Sequence, residues 1–81
     1  MITRVVELDT VVIEYLKSRG IIRQYEKAKQ HILAGRMGLI QLKKRKPLKE
    51  EKYEFRITQK YRALCRFSGP ALIVFAIDDH Q

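Results

Sequence analysis

Cysteine occurs once in the 81 residues, at position 65, so no internal disulfide can form and a disulfide-stapled scaffold is excluded. The lone thiol lies between Ala63 and Phe67, at an apolar position of an alternating pattern, and reads as a buried, inert side chain. No apolar run approaches the ~20 residues that a membrane helix requires, so no membrane partner is expected. Residues Met1 to Asp9 lack a basic stretch leading into an apolar segment and a small-residue cleavage site, and a cytoplasmic location is the expectation. Internal repeats, low-complexity tracts and linkers are missing too. Acid is scarce: nine Asp and Glu stand against 17 Lys and Arg, a formal net charge of +8. A chain of this length has room for one domain and one modest core, residues 1–81.

The positive charge is unevenly placed. Residues 1–35 carry six basic and four acidic side chains, residues 36–66 carry eleven and three, and residues 67–81 carry only Asp78 and Asp79. A basic segment this dense favours a polyanionic partner, above all nucleic acid, because phosphate neutralisation supplies most non-specific affinity. Lys43, Lys44, Arg45, Lys46, Lys49, Lys52 and Arg66 are the candidate nucleic-acid contacts. Such contacts to phosphate fix position without reading sequence.

Residues 2–8 are β-branched and loosely alternating, which predicts a first strand. Asp9 then suits a helix N-cap, with Val12, Tyr15, Leu16 and Arg19 along one face and Gly20 as the stop. A second helix follows at once, its Ile22, Tyr25, Ala28, Ile32 and Leu33 recurring at spacings of three and four and Gly35 closing it. Residues 39–45 suit a second strand and residues 46–52 a loop. Three more strands occupy the last third, separated by turns at Thr58–Lys60 and Ser68–Pro70. The order is β-α-α-β-β-β-β, a strand and a two-helix hairpin followed by an antiparallel sheet in a small α+β domain.

Period-two bookkeeping assigns Tyr53, Phe55 and Ile57, then Tyr61, Ala63, Cys65 and Phe67, then Ala71, Ile73, Phe75 and Ile77 to the core face. The opposite face then receives Glu54, Arg56, Arg62, Arg66 and His80. Permanent cations beside one group that titrates near neutrality suit a phosphodiester substrate. RNA cleavage without metal needs a base for the 2′-hydroxyl, cations for the charge developing on phosphorus, and an acid for the 5′-oxygen. Arg56 and Arg62 can supply the charge, since a guanidinium binds phosphate with two parallel N–H donors and keeps its proton at working pH. His80 can move a proton. His31 has no second His, Cys or carboxylate at ligand spacing, so no metal or other cofactor is expected.

The element order, Tyr53-x-Phe55-Arg56-Ile57-Thr58, Tyr61-Arg62-Ala63, the apolar strand Leu72 to Ile77 and the near-terminal His80 resemble the RelE/ParE superfamily of type II toxin–antitoxin toxins, closest to its RelE/YoeB-like branch. The resemblance spans essentially the whole chain and is most specific in the last third. It implies a RelE-like toxin domain that enters the ribosomal A site, cleaves mRNA there, inhibits translation and arrests growth. It also implies a cognate antitoxin that neutralises the toxin in a hetero-oligomer. In the YoeB-like branch the C-terminal His is catalytic, and the positions matching Arg56 and Arg62 stabilise charge.

The chain departs from that pattern in two places. YoeB-like members carry Tyr after the terminal His and Glu before the loop Pro-Leu, where this chain has Gln81 and Lys46. Gln81 cannot exchange a proton, and an ammonium with an ordinary pKa of about 10.4 is a poor base, which leaves Glu50, Glu51 and Glu54 as candidates. Glu54 shares the face of Arg56. Three functions remain open on the sequence: a metal-independent endoribonuclease, a ParE-like toxin that binds DNA gyrase, and a catalytically inactive module that binds nucleic acid or antitoxin. Fold alone does not separate them.

Overall fold

The computed structural model describes residues 2–79, an α+β domain with β1 (Arg4–Glu7), α1 (Thr10–Ser18), α2 (Ile22–Leu33), β2 (Lys43–Lys44), β3 (Tyr53–Arg56), β4 (Tyr61–Ser68) and β5 (Ala71–Asp79). Short 3₁₀ turns at Met37–Ile40 and Leu48–Glu50 flank β2. One five-stranded sheet has the order β1-β5-β4-β3-β2. β1 runs parallel to β5, and the other pairings are antiparallel.

The helix ends follow from single residues. The Asp9 side chain accepts the Val11 N–H at 2.9 Å, satisfying one of the unpaired donors of the first turn of α1. At the other end Gly20, at φ +70°, takes the left-handed conformation. Its N–H reaches the Lys17 carbonyl at 3.1 Å, and the Ile21 N–H reaches Leu16 at 3.0 Å, a Schellman motif that turns the chain directly into α2. Ile21 is thereby buried with Leu16.

One face of the sheet is covered by both helices. Val12, Leu16, Tyr25, Ala28 and Ile32 pack with Val5, Phe55, Ala63, Cys65, Leu72 and Val74 in a single core. Tyr25 is its centre, fully buried and stacked on Phe55 at 6.2 Å between ring centroids. The Tyr25 hydroxyl donates to Glu7 Oε2 at 2.6 Å, and Lys29 Nζ reaches the same oxygen at 3.0 Å. The polar end of the most deeply buried aromatic is thus satisfied.

Cys65 is fully buried, and burial, with a smaller contribution from the nearby Glu54 charge, pushes its thiol up to about 12. The thiolate is the reactive form. A disulfide-exchange reagent is therefore expected to leave the native protein unlabelled at neutral pH and to label it once in denaturant, as read by mass spectrometry.

Three expectations are corrected. Strict alternation fails in β5: Leu72 and Val74 are fully buried, while Ile73 pairs with exposed Arg66 on the other face. The register shifts between Leu64 and Cys65, whose partners are Ala76 and Val74, so Phe75 is inserted as a bulge and Ile77 returns to the core side opposite Ala63. The expected strand at 39–45 shrinks to Lys43–Lys44, because Leu39 and Ile40 lie in a 3₁₀ turn closed by Gln41 in the left-handed region at φ 54°. Only Ile40 of that pair reaches the core; Leu39 is 65% exposed. Leu33 and Phe67 are also largely exposed at 46% and 42%, although Phe67 keeps an edge contact with Tyr53 at 4.9 Å.

Candidate functional site

The sheet face away from the helices carries a connected set of charges. Arg56 on β3, Arg62 on β4 and Asp78 on β5 stand in one cross-strand row, and Glu54 stands one row along beside Leu64. β2 and β3 bring a further cation in: the Arg45 N–H bonds to the Lys52 carbonyl at 2.7 Å and extends their ladder by one pair. Arg45 then lies between two carboxylates, with Nε 3.4 Å from Glu54 Oε1 and Nη1 3.4 Å from Asp78 Oδ2. Arg62 Nε stands 3.7 Å from the other Glu54 oxygen. Glu54 therefore bridges two guanidinium groups.

Arg62 is fixed more firmly than a surface strand cation. Its Nη1 donates to the carbonyls of Thr58 at 2.6 Å, Gln59 at 3.1 Å and Tyr61 at 3.3 Å, all in or beside the β3–β4 turn. The turn is shaped for this, since Thr58 Oγ1 accepts the N–H groups of Lys60 and Tyr61 at 3.2 and 3.1 Å. The Arg62 and Glu54 side chains are each only 15% exposed, whereas Arg45 and Asp78 are 35% and 39% exposed. Exposed pairs are worth about 0–1 kcal/mol each, so the Arg45 contacts position charge and add little stability.

A cleft of about 290 Å³ opens beside this network, lined by Arg45, Lys46, Glu50, Lys52, Leu64 and Asp78. A second, of about 330 Å³, adjoins it through the shared Glu50 and Lys52 and is bounded by Arg66, Phe67 and Phe75. Among the described residues no three His, Cys, Asp or Glu side chains converge as a metal site would need. No described helix is long and apolar enough to cross a membrane.

The expected site residues divide accordingly. Glu54, Arg62 and Arg45 come together; Lys46 and Lys52 line the cleft, and Lys52 pairs with Glu50 at 3.1 Å. Lys43, Lys44 and Lys49 are exposed along β2 and the following turn. Arg66 sits over the Phe75 ring at 5.7 Å. Arg56 faces Arg62 in register but pairs with no described carboxylate, and it lines a different cleft with Lys27 and His31. His80 lies outside the described residues, as does Gln81. No protein-family model matches the chain, and no curated protein does. The central place of Arg45 and the pairing of Asp78 with it were not foreseen. The available signal was the alternation of β2 carried one residue further, which sets Arg45 on the face of Lys43 and so of its partner Glu54.

Proposed function

We propose that the protein is a RelE/ParE-type toxin acting as a metal-independent endoribonuclease on ribosome-bound mRNA. The observation that carries this reading is the arginine pair on the open sheet face, with Arg62 held by three carbonyls and tied through Glu54 to Arg45. Donors fixed before the substrate arrives need little reorganisation as charge develops on a phosphorane, and that is where such electrostatic stabilisation is most effective. The basic surface from Lys43 to Lys52 supplies the docking contacts for RNA. In this scheme the 2′-oxygen attacks phosphorus and gives its proton to Glu54. Arg62 and Arg45 neutralise the non-bridging oxygens, Arg56 holds the flanking phosphate, and the 5′-oxygen departs with a proton from His80. The products are a 2′,3′-cyclic phosphate and a 5′-hydroxyl. A cognate antitoxin neutralises the toxin in a hetero-oligomer, and the site of action is the cytoplasmic ribosome.

Glu54 has two possible duties, as counter-ion and as base, and one substitution separates them. Glu54→Gln keeps the shape and removes the charge. It is expected to retain or tighten RNA binding, because a negative charge leaves the arginine pair, while ribosome-dependent cleavage falls by about 10²–10⁴. Primer extension on programmed ribosomes together with filter binding reads both quantities. Cleavage at the wild-type rate would move the base to Glu50 or Glu51.

A further inference from the structure

A second group of cations gathers where α2 meets the outer edge of β3, and Arg56, in register with Arg62 on the sheet, belongs to it. Lys27, His31 and Arg56 line a cleft of about 290 Å³ with Gln24, Leu39 and Ile40, and no carboxylate contributes to its walls. Lys27, Arg36 and Arg56 form no ion pair with any described carboxylate, unlike Arg45 and Arg62.

Two local features build this cleft. α2 ends in a Schellman motif in which Gly35, at φ +80°, donates to the Ile32 carbonyl at 3.0 Å and Arg36 N–H donates to His31 at 2.8 Å. The reversal lays Arg36 back on the helix, where its Nε donates to His31 Nδ1 at 3.2 Å. A neutral imidazole that accepts at Nδ1 carries its proton on Nε2, which is then a donor. The second feature is the shortness of β2, which pairs only with Tyr53 and Glu54. The Ile57 N–H bonds to Tyr61 at 3.1 Å, toward β4, so the alternating ladder turns the Arg56 N–H the other way, to an edge that β2 does not cover. Lys27, His31 and Arg56 thus line one cleft beside an edge of β3 that β2 leaves uncovered.

We propose that this cleft is a second phosphate-binding site, which holds the backbone of a single-stranded RNA as it passes from the open sheet face round the uncovered edge of β3. The inference rests on the reading of RNA as the substrate. Arg56 lies two residues beyond Glu54, about 7 Å along the strand, so one chain of nucleotides can engage both places. The contacts go to phosphate, and they set affinity and path without reading bases.

The test is the salt dependence of binding to a short single-stranded RNA with 2′-O-methyl groups, which has no 2′-hydroxyl to attack. For the combined Lys27→Gln, Arg36→Gln and Arg56→Gln variant, the slope of log affinity against log salt is expected to fall in magnitude by about 2, since each neutralised phosphate contributes roughly 0.7 for a single strand. The charge-preserving Lys27→Arg, Arg36→Lys and Arg56→Lys variant should keep the wild-type slope. A control with the same loss of charge elsewhere, Arg4→Gln, Lys17→Gln and Arg19→Gln, should keep it as well. Far-UV circular dichroism and urea midpoints verify that all three are folded. An unchanged slope in the first variant, or an equal fall in the control, would overturn the second site while leaving the open-face nuclease intact. Failure of the wild type to bind this RNA would overturn the second site, whereas the nuclease itself is overturned only by the absence of cleavage on programmed ribosomes.

Discussion

Replacing Arg62 with alanine is expected to lower ribosome-dependent cleavage by about 10²–10³, the loss that follows removal of one fixed donor from a developing oxyanion. The same change removes the donor that ties together the Thr58, Gln59 and Tyr61 carbonyls and leaves Glu54 facing Arg45 alone. Unpaired and partly buried groups of this kind cost about 1–3 kcal/mol, so the variant will also be less stable. Arg62→Lys separates the two effects. It keeps the charge but cannot donate to three carbonyls and a carboxylate from a planar fork, so it is expected to fall between wild type and Arg62→Ala in both cleavage and stability. The checks are single-turnover cleavage on programmed ribosomes and the urea midpoint of each variant. A folded Arg62→Ala protein that cleaves at the wild-type rate would reduce Arg62 to a strut for the turn.

The second large effect concerns the core. Tyr25→Ala is expected to destabilise the domain by about 3–5 kcal/mol, the range for emptying a buried aromatic site. Small domains have a total stability of only about 5–15 kcal/mol, so this variant will be largely unfolded or close to it. Tyr25→Phe keeps the stack on Phe55 and deletes only the hydroxyl that donates to Glu7. Its cost is smaller, about 1–3 kcal/mol, for weakening a buried polar contact; Lys29 still holds the carboxylate.

The pH dependence of the Tyr25→Phe variant is the more telling comparison. Burial works to raise the Glu7 pKa, but the Tyr25 hydroxyl and the Lys29 ammonium outweigh it, and the carboxyl titrates below its ordinary 4.5. The folded state therefore binds this proton less readily than the unfolded chain. The stabilisation is fully present above the unfolded value and is lost as pH falls through the depressed folded value. Urea midpoints across the acid range should drop less steeply for Tyr25→Phe than for wild type. Parallel profiles would show that Lys29 alone sets the Glu7 charge.

Much of the fold was legible because it is dictated locally. Asp9, Gly20 and Gly35 mark helix ends through a side-chain acceptor and two left-handed turns, and the turns at Thr58–Lys60 and Ser68–Pro70 separate β3, β4 and β5 as expected. The expected β-α-α-β-β-β-β order follows from these markers. What was not legible depends on pairing between distant segments. Alternation in β5 holds only on either side of the bulge, and nothing in Leu72-Ile-Val-Phe-Ala-Ile announces that Phe75 is the inserted residue. The residue that decides is its partner strand's register, which is a property of two segments and not of one.

The candidate site divides in the same way. Residue types and strand parity placed Glu54 and Arg62 on one face, and the structure keeps them there. The role of Arg45 as the link between Glu54 and Asp78 needs β2 to meet β3 in one register, and β2 is only two residues long. The separation of Arg56 from that network follows from the same short strand, which leaves its edge of β3 open toward α2.

The most direct measurement is controlled expression of the chain in growing cells, with mRNA 5′ ends mapped during arrest and Arg62→Ala expressed alongside. A ribosome-dependent endoribonuclease predicts growth arrest with new 5′ ends phased to the reading frame, and the loss of both in the variant. Arrest with intact mRNA, or phased cuts that persist in a folded Arg62→Ala protein, would contradict it.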